Sequence, residues 1–176
     1  MNRIVMPLVV ALALAGCREE TAAVPTPTRM TDEALGHFCQ MFVADHPGPK
    51  AQIHLKGYEA PLWFSQVTDA VSYVHDPERD GEIAAIYVSD MGHAESWAVP
   101  GADNWAAADT VRLVIESEQA GGMGLPEAIP FSDPADADAF VQEHGGRIVG
   151  FTEVPQSYAH PQMDTMNADA MNGGMH

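Results

Sequence analysis

Three side chains that can bind a soft metal lie close together in the segment His37-Phe38-Cys39-Gln40-Met41. In an extended strand the side chains at positions 37, 39 and 41 share one face, whereas in a helix Cys39 would point away from the other two. A thiolate and a thioether select Cu(I), imidazole joins them readily, and zinc seldom takes methionine. The spacing therefore predicts a Cu(I) site that uses Cys39, Met41 and His37.

Other donors could complete this coordination. Met123 follows two glycines and precedes a third, and a methionine in such a loop packs little, so we predict it as a ligand. His46, just before a proline, is an alternative to His37. Met91 and His93, which follow a predicted strand, are further alternatives. For each of these residues, ordinary core packing or a surface position is the competing interpretation.

The N-terminus predicts the compartment. Residues 1–16 have Arg3 followed by an apolar stretch of about a dozen residues, which is typical of a secretory signal and shorter than the roughly 20 residues of a spanning helix. Leu14-Ala15-Gly16-Cys17 is similar to the bacterial lipoprotein signal, which predicts lipidation of Cys17; an ordinary signal peptide is the alternative. Arg18, in place of the Asp of inner-membrane lipoproteins, favours the periplasmic side of the outer membrane, with the inner membrane as the alternative.

A lipid on Cys17 would leave Cys39 as the only thiol of the 176-residue chain. The periplasm is oxidising, so an unpaired thiol there indicates a metal ligand or a nucleophile. A small buried side chain is the alternative.

Composition excludes several classes of function. Eight Lys and Arg stand against 25 Asp and Glu, a net charge of −17 that disfavours nucleic-acid binding. The sequence has no phosphate loop, dinucleotide fingerprint or Ser-His-Asp arrangement, and we expect a monomeric binding protein rather than an enzyme.

An internal repeat predicts the fold. Phe64-Ser65, Asp69-Ala70 and Tyr73-Val74 recur 67 positions later as Phe131-Ser132, Asp136-Ala137 and Phe140-Val141. Each copy predicts a helix, at 66–75 and 133–144, with the serine as its N-cap. The predicted strands are 40–44, 51–55, 61–64 and 83–88 in the first copy, and 111–116, 128–131 and 147–151 in the second. The prediction is thus an α+β protein of two tandem related ββαβ units.

The predicted boundaries follow from these elements. They are a signal peptide at 1–16, a flexible tether at 17–30, a first unit at 31–100, a second unit at 101–156, and a disordered tail at 157–176 that is rich in Met and His. The tail either has no role or captures a soft metal with low affinity.

Taken together, the motifs resemble those of the NosL-type copper-chaperone lipoproteins. They are the lipoprotein signal, Cys39-x-Met41, His46-Pro-Gly-Pro-Lys, Trp63-Phe64-Ser65, Tyr87-Val88-x-Asp90-Met91-Gly92, and Gly122-Met123-Gly124-x-Pro126-Glu127. The resemblance covers nearly all of residues 31–156. Gln40 departs from the pattern, because the family usually has glycine there, and the tail is not part of it.

The resemblance implies a fold similar to the organomercurial lyase core and one Cu(I) per chain, held by cysteine and methionine with histidine as the further ligand. It implies delivery of copper to the tetranuclear copper-sulfide site of nitrous oxide reductase in denitrification. The partners would be that reductase and its maturation machinery, which includes a membrane transporter complex. Two alternatives are a metal-free adaptor lipoprotein that docks a respiratory or maturation complex and a thiol-dependent organometal lyase, although a lone Cys39 disfavours the lyase.

Overall fold

The structure of the protein is a computed structural model that describes residues 23–159. The predicted signal peptide, Cys17 and the tail from His160 onward lie outside the described residues. Within residues 23–159, no helix has the length and apolar character that crossing a bilayer requires.

The described chain is a mixture of short helices and antiparallel sheets, which confirms the predicted α+β class. In chain order the elements are β1 (Ala51–Leu55), β2 (Leu62–Phe64), α1 (Val67–His75), β3 (Ile83–Ser89), β4 (Trp105–Ala107), β5 (Arg112–Ile115), β6 (Ile129–Phe131), α2 (Pro134–His144), β7 (Arg147–Val149) and α3 (Gln156–Ala159), with 3-10 helices at Val43–Asp45 and Phe151–Glu153.

Both units have the same arrangement. The first sheet has the strand order β2-β1-β3-β4 and the second β6-β5-β7, with every pairing antiparallel. In each unit the first strand lies between the second strand and the strand that follows the helix. β4 was not predicted. It comes from the segment between the copies and pairs with β3, with Trp105 opposite Ser89 and Ala107 opposite Tyr87.

The helix caps differ from the prediction by one residue. α2 begins after Asp133, whose carboxylate accepts the Ala135 N–H at 2.9 Å, and Pro134 fits the first helical position. α1 begins after Gln66, whose side chain makes no cap. Ser65 and Ser132 are therefore not the N-caps, because in each unit a carboxylate meets the first free N–H groups instead.

One hydrophobic core is shared by the two units. Its buried residues come from both sheets and from α1, and they include Ile53, Phe64, Val71, Val88, Leu113, Ile115 and Val149. A smaller cluster lies under α2 and contains Val114, Ile129, Phe131 and Ala137. Because β5 of the second unit adds Leu113 and Ile115 to the larger core, the first unit has no core of its own.

The tether was predicted to be flexible up to residue 30, and this is wrong for residues 25–30. They lie across the outer face of the first sheet, and we call them the strap. Tyr87 Oη donates to the Pro25 carbonyl at 2.6 Å. The Gln52 amide accepts from Thr28 N at 2.8 Å and donates to Thr28 O at 2.9 Å. The strap is held because a side-chain amide on the central strand β1 pairs with its backbone in both directions.

The side chain of His54 on β1 is buried, and its Nε2 lies 2.9 Å from the Gln52 Oε1 that also holds the strap. Burial lowers the pKa of His54 below its usual value, since a charged ring is poorly solvated there.

The last described helix lies beyond the predicted end of the second unit. α3 packs on α1, and Tyr158 Oη donates to the Glu127 carbonyl at 2.8 Å and accepts from Glu116 N at 3.0 Å. Residues 157–159 are therefore part of the folded body and not of the predicted disordered tail.

Candidate metal centre

The segment that carries the first donors is a tight turn, not the predicted strand. Leu35 and Phe42 form an antiparallel bridge, and between them Gly36 N donates to Met41 O at 2.9 Å. We call residues 36–41 the donor loop. The strand predicted at 40–44 is wrong as well, because the chain continues into the 3-10 helix Val43–Asp45.

Gln40 explains why the chain turns here. Its φ of 55° is in the left-handed region, which a strand residue does not adopt and which favours glycine. Its side-chain Nε2 donates to the His37 carbonyl at 2.7 Å and to the Gly36 carbonyl at 3.3 Å. The Gln40 side chain therefore stabilises a turn in which its own backbone is strained.

Cys39 lies on the inner side of the donor loop and is half-buried. Its Sγ is 3.5 Å from Ser65 Oγ, at the start of the segment that leads into α1. A Cβ on Gly36 would lie only 2.5 Å from this sulfur, so a residue without a side chain is needed there. The thiol is thus held in one place by its neighbours and is not joined to another cysteine.

The outer side of the donor loop faces solvent. The Met41 side chain is 43% exposed, and three apolar side chains around it are exposed to a similar extent: Leu35, Phe38 and Phe42. A metal bound by Cys39 and Met41 would therefore be accessible from outside. Large apolar groups left in water also indicate a contact surface for another molecule.

His37 points into an aromatic cluster. Its ring centroid is 5.2 Å from that of Tyr73 and 5.7 Å from that of Phe64, and its Nε2 is 3.7 Å from an Asp80 carboxylate oxygen. The expectation that His37, Cys39 and Met41 share one strand face is wrong, because the turn separates their directions. Whether His37 binds the metal stays a prediction.

The loop that carries Met123 packs closely on the segment that follows the donor loop. A Cβ on Gly122 would lie 2.2 Å from the Pro47 carbonyl oxygen and 3.2 Å from His46 Cβ. The Met123 side chain itself is 37% exposed. The glycines of this loop allow its backbone to approach His46-Pro47, which places the Met123 loop against a segment that begins five residues after Met41.

Lys50 is a buried side chain that bonds to the segments next to both loops. It is 1% exposed, and its Nζ donates to the Pro47, Gly48 and Ser65 carbonyls at 3.0, 2.7 and 3.4 Å. Pro47 supports the Met123 loop, whereas Ser65 contacts the thiol of Cys39. One buried ammonium thus fixes the supports of both candidate sulfur donors.

Glu127 is the buried acid of the same region, and sequence reasoning missed its role along with that of Lys50. Its Oε1 accepts the N–H groups of Val67, Thr68 and Ala128 at 3.0, 3.2 and 2.9 Å, so a second-unit carboxylate caps the first-unit helix α1. Burial raises the pKa of Glu127 to about 8. Burial also lowers the pKa of Lys50 to about 8, against the opposing effect of Glu127.

Three buried side-chain atoms near the Met123 loop make no hydrogen bond within the described part of the chain. They are His46 Nε2, Gln66 Oε1 and Glu127 Oε2. A Cβ on Gly121 would lie 2.8 Å from Gln66 Nε2 and 2.9 Å from Glu127 Oε2, so two of these side chains face this loop directly. His46 therefore has a ring nitrogen without an assigned partner, and its role as the alternative to His37 stays a prediction.

Met91 and His93 lie in different surroundings. Met91 packs against the smaller cluster under α2, and His93 Nδ1 is 2.7 Å from Asp90 Oδ2. That hydrogen bond raises the pKa of His93. Asp90 also accepts the Ser132 N–H at 3.2 Å, just before α2. The contacts of both candidates are thus with residues around α2.

The donor set decides which metal fits. Among residues 23–159, no three His, Cys, Asp or Glu side chains are arranged to hold a metal ion. A metal at the donor loop would therefore depend on methionine sulfur beside the single thiol, and this combination favours Cu(I).

Comparison with known proteins gives a consistent result. A family model described as NosL matches residues 27–159. The chain is 44% identical over 164 residues to a copper-binding lipoprotein NosL of Achromobacter cycloclastes, covering 93% of this chain and 85% of that protein. It is 29% identical over 174 residues to the copper-binding lipoprotein NosL of Stutzerimonas stutzeri, covering 97% of this chain and 86% of that protein.

A solved structure agrees with these sequence matches. The crystal structure of the copper chaperone NosL from Shewanella denitrificans is similar with a TM-score of 0.70 and 30% sequence identity, covering 75% of this chain and 97% of that chain.

Proposed function

Because the chain belongs to the NosL family, we propose that it is a periplasmic Cu(I) chaperone, a binding and delivery protein rather than an enzyme. One Cu(I) would be held by Cys39 and Met41 of the donor loop together with Met123, with His37 as a further ligand and His46 as its alternative. The observation that carries this proposal is the placement of the lone thiol in a constrained turn beside an exposed thioether.

The geometry suits exchange of the metal. Cys39 would bind as thiolate after releasing its proton to solvent, and this anionic sulfur would be the strongest ligand. Met41 and Met123 are neutral and partly exposed, so a thiol or methionine of another protein could replace them one at a time. A buried site with four anionic ligands would hold copper too firmly for delivery.

The proposed destination is the tetranuclear copper-sulfide site of nitrous oxide reductase, reached together with the maturation machinery and its membrane transporter complex. The support for this is the family resemblance. We propose further that the protein is a monomer, anchored by a lipid on Cys17 at the periplasmic side of the outer membrane, with the inner membrane as the alternative.

The test is the substitution Cys39→Ser, with Met91→Leu as the control. The full chain should bind one Cu(I) tightly, with sulfur in the first shell by X-ray absorption. Loss of a residue that only orients a ligand typically lowers metal affinity roughly 10–100-fold. Cys39→Ser removes a ligand itself and should therefore lower the Cu(I) affinity by more than this. In the host, Cys39→Ser should yield a reductase that lacks the copper-sulfide cluster. A first shell without sulfur, or a fully active reductase, would contradict the proposal.

A second candidate is the metal-free adaptor lipoprotein, favoured by the exposed apolar side chains of Leu35, Phe38 and Phe42. Substituting Phe38 and Phe42 by serine should then abolish reductase maturation, while Cys39→Ser should not affect it. The chaperone proposal expects the opposite: Cys39→Ser should abolish reductase maturation, and the two serine substitutions should affect it less.

A further inference from the structure

A cleft beside α2 brings together a methionine, a tryptophan and a histidine. Met91, Trp97 and His144 line this cavity of about 230 Å³, and we call it the α2 cleft. Met91 follows β3, Trp97 lies between β3 and β4, and His144 is the last residue of α2. The fold thus collects three side chains from separate segments, each of which can contact a soft cation.

The internal repeat gives the α2 cleft a counterpart at the donor loop. An aromatic pair of the first unit recurs in the second, 67 positions later, and both members of the recurring pair line the α2 cleft: Phe64 and Tyr73 correspond to Phe131 and Phe140. The ring centroids of the pair are 5.6 Å apart in the first unit and 5.3 Å apart in the second. In the first unit this pair contacts the ring of His37, in the donor loop. In the second unit the ring of His144 lies on the pair instead, 4.4 Å from that of Phe140. Each unit therefore places an imidazole on an equivalent aromatic pair.

The backbone around the α2 cleft holds its other two side chains in place. Met91 N donates to the Pro130 carbonyl at 2.8 Å, and the Met91 side chain packs against the smaller hydrophobic cluster. The Trp97 carbonyl accepts the Gly48 N–H at 2.7 Å, and a Cβ on Gly48 would lie 2.8 Å from Trp97 Cζ2. The thioether and the indole are thus positioned before any ligand binds.

The imidazole of His144 is available to a ligand. Its Nε2 is 3.8 Å from the nearest carboxylate oxygen, Glu143 Oε1, which is beyond hydrogen-bond distance. The His144 side chain is 33% exposed, so an ion can reach it from solvent. Coordination at this ring would therefore not break a hydrogen bond to Glu143.

The chemistry of the three side chains favours one class of ion. Thioether and imidazole suit Cu(I), whereas hard cations prefer oxygen ligands. The face of an indole attracts a cation that lies within about 6 Å of the ring centre. A monovalent ion also loses less hydration free energy than a divalent ion in these largely aromatic surroundings. The α2 cleft therefore fits Cu(I) better than a hard or divalent cation.

We propose that the α2 cleft is a second Cu(I) site, in which Met91 sulfur and an imidazole nitrogen of His144 bind the ion and the Trp97 indole covers it. Both ligands are neutral, so this site binds copper less tightly than the thiolate of Cys39 does. Copper enters and leaves as Cu(I), and neither ligand gives up a proton. The proposal goes beyond the chaperone site and needs no residue of the donor loop.

Tryptophan fluorescence can report this site without interference from other bound copper. The three tryptophans of the chain are Trp63, Trp97 and Trp105. Trp63 and Trp105 contact each other, with ring centroids 5.7 Å apart, while Trp97 lines the α2 cleft. Copper in the α2 cleft should therefore quench Trp97, and Trp97→Phe should abolish the change.

The experiment uses full chains that carry Cys39→Ser, so that the tight site is removed. Into this background we introduce Met91→Leu, His144→Gln or, as the matched control, His75→Gln. His75 ends α1 as His144 ends α2, and it is exposed. Cu(I) is added in dilute acetonitrile without oxygen, and the affinity is read from the fluorescence change. Circular dichroism checks that each variant is folded.

We expect Cys39→Ser to keep a Cu(I)-dependent quenching that saturates at one ion. Loss of a group that only orients a ligand already lowers metal affinity roughly 10–100-fold. Met91→Leu and His144→Gln each remove a ligand and should therefore weaken the quenching event at least about tenfold. His75→Gln should stay within about twofold of its background.

A second measurement does not depend on these variants. In the Cys39→Ser chain with ¹³C-labelled methionine methyl groups, the Met91 resonance should shift as Cu(I) is added, in step with the quenching. An unshifted Met91 methyl group, or equal affinities in all three variants, would overturn the second site. Failure of the proposed function looks different, because then wild type and Cys39→Ser would bind their first Cu(I) equally well.

Discussion

The two units share one strand arrangement but differ in how deeply their helices are buried. Six residues of α1 are buried, whereas Ala137 is the buried residue of α2. The α2 helix carries its own cap in Asp133, while α1 depends on Glu127 of the second unit. The first unit alone carries the donor loop and the strap. The repeat therefore supplies the shared fold. The donor loop is an addition to the first unit, and the glycine loop of the second unit packs on His46-Pro47, the segment that follows it.

This comparison also shows that neither unit is self-sufficient. Glu127 caps the helix of the first unit, and Asp90 of the first unit holds the Ser132 N–H before the helix of the second. The surroundings of the candidate metal centre depend on both units. Lys50 bonds to Pro47 and Ser65, which contact the Met123 loop and Cys39, and Glu127 Oε2 faces Gly121.

The largest effect should come from separating the units. Residues 31–100 or 101–159, expressed alone, should fail to fold, because β5 contributes to both clusters and α1 loses its cap. Circular dichroism and proton NMR are the measurements, with residues 23–159 as the folded control. A dispersed NMR spectrum from residues 31–100 alone would show that the first unit is independent after all.

Removing the cap that joins the units should have the next largest effect. Glu127→Ala leaves three buried N–H groups without their acceptor and should lower the free energy of unfolding by about 3 kcal/mol or more. Asp133→Ala, which removes the local cap of α2, should cost about 1 kcal/mol. Urea denaturation measures both. Equal losses would mean that the two helices are capped equivalently.

The same glutamate predicts a pH dependence. Its pKa is raised from 4.5 to about 8, so the folded protein holds a proton that the unfolded chain has released. Stability from this group is therefore present below pH 4.5 and is lost as the pH rises toward 8. Glu127→Gln keeps an oxygen acceptor and should remove this decline. An unchanged pH profile in Glu127→Gln would contradict the assignment.

A smaller effect is expected from crowding the thiol. Gly36→Ala places a Cβ 2.5 Å from Cys39 Sγ and should displace the sulfur, lowering the Cu(I) affinity roughly 10–100-fold. Gly81→Ala is the control within the same unit, because its nearest neighbour would be at 3.6 Å. Competition with a Cu(I) chelator measures both variants, and equal affinities would show that the thiol is not held where we place it.

The smallest effect should separate the two methionine environments. Met41→Leu keeps the apolar bulk but removes the sulfur, and should weaken Cu(I) binding by about tenfold, or ~1.4 kcal/mol. Met91→Leu, at the cluster under α2, should change the affinity less than twofold. The same chelator competition applies. A larger loss for Met91→Leu would move the site toward the second unit.

Sequence patterns predicted the repeated elements well, because those elements carry local signals. The helices, β1 and β3 showed periodic or continuous apolar residues, and the repeat reinforced each assignment. β4 escaped prediction because Trp-Ala-Ala has no alternation, and pairing with β3 alone makes it a strand.

The predictions that failed concern segments whose conformation depends on the folded chain around them. The turn at Gln40 follows from a positive φ that a glutamine does not signal. The sequence likewise gives no signal that the strap is fixed, because its attachment to Gln52 of β1 joins residues 24 positions apart. The choice of Cys39, Met41 and Met123 came from side-chain chemistry and family resemblance, and the structure tests their surroundings rather than their binding.

The strap limits the distance between a membrane and the folded body of the protein. Seven residues separate Cys17 from Pro25, where the chain becomes fixed, and a chain of that length reaches at most about 28 Å. A body of this size is itself roughly 35–40 Å across.

With the lipid that we propose on Cys17, the whole molecule is confined to a layer about 65 Å deep, less than twice its own diameter. The donor loop would then move mainly parallel to the membrane surface, and every copper donor or acceptor must enter that layer to reach it. Releasing the strap from Tyr87, Gln52 and Asp103 together would add five residues of free chain up to Met30 and widen the layer by about 18 Å, so these three side chains set the working height of the protein.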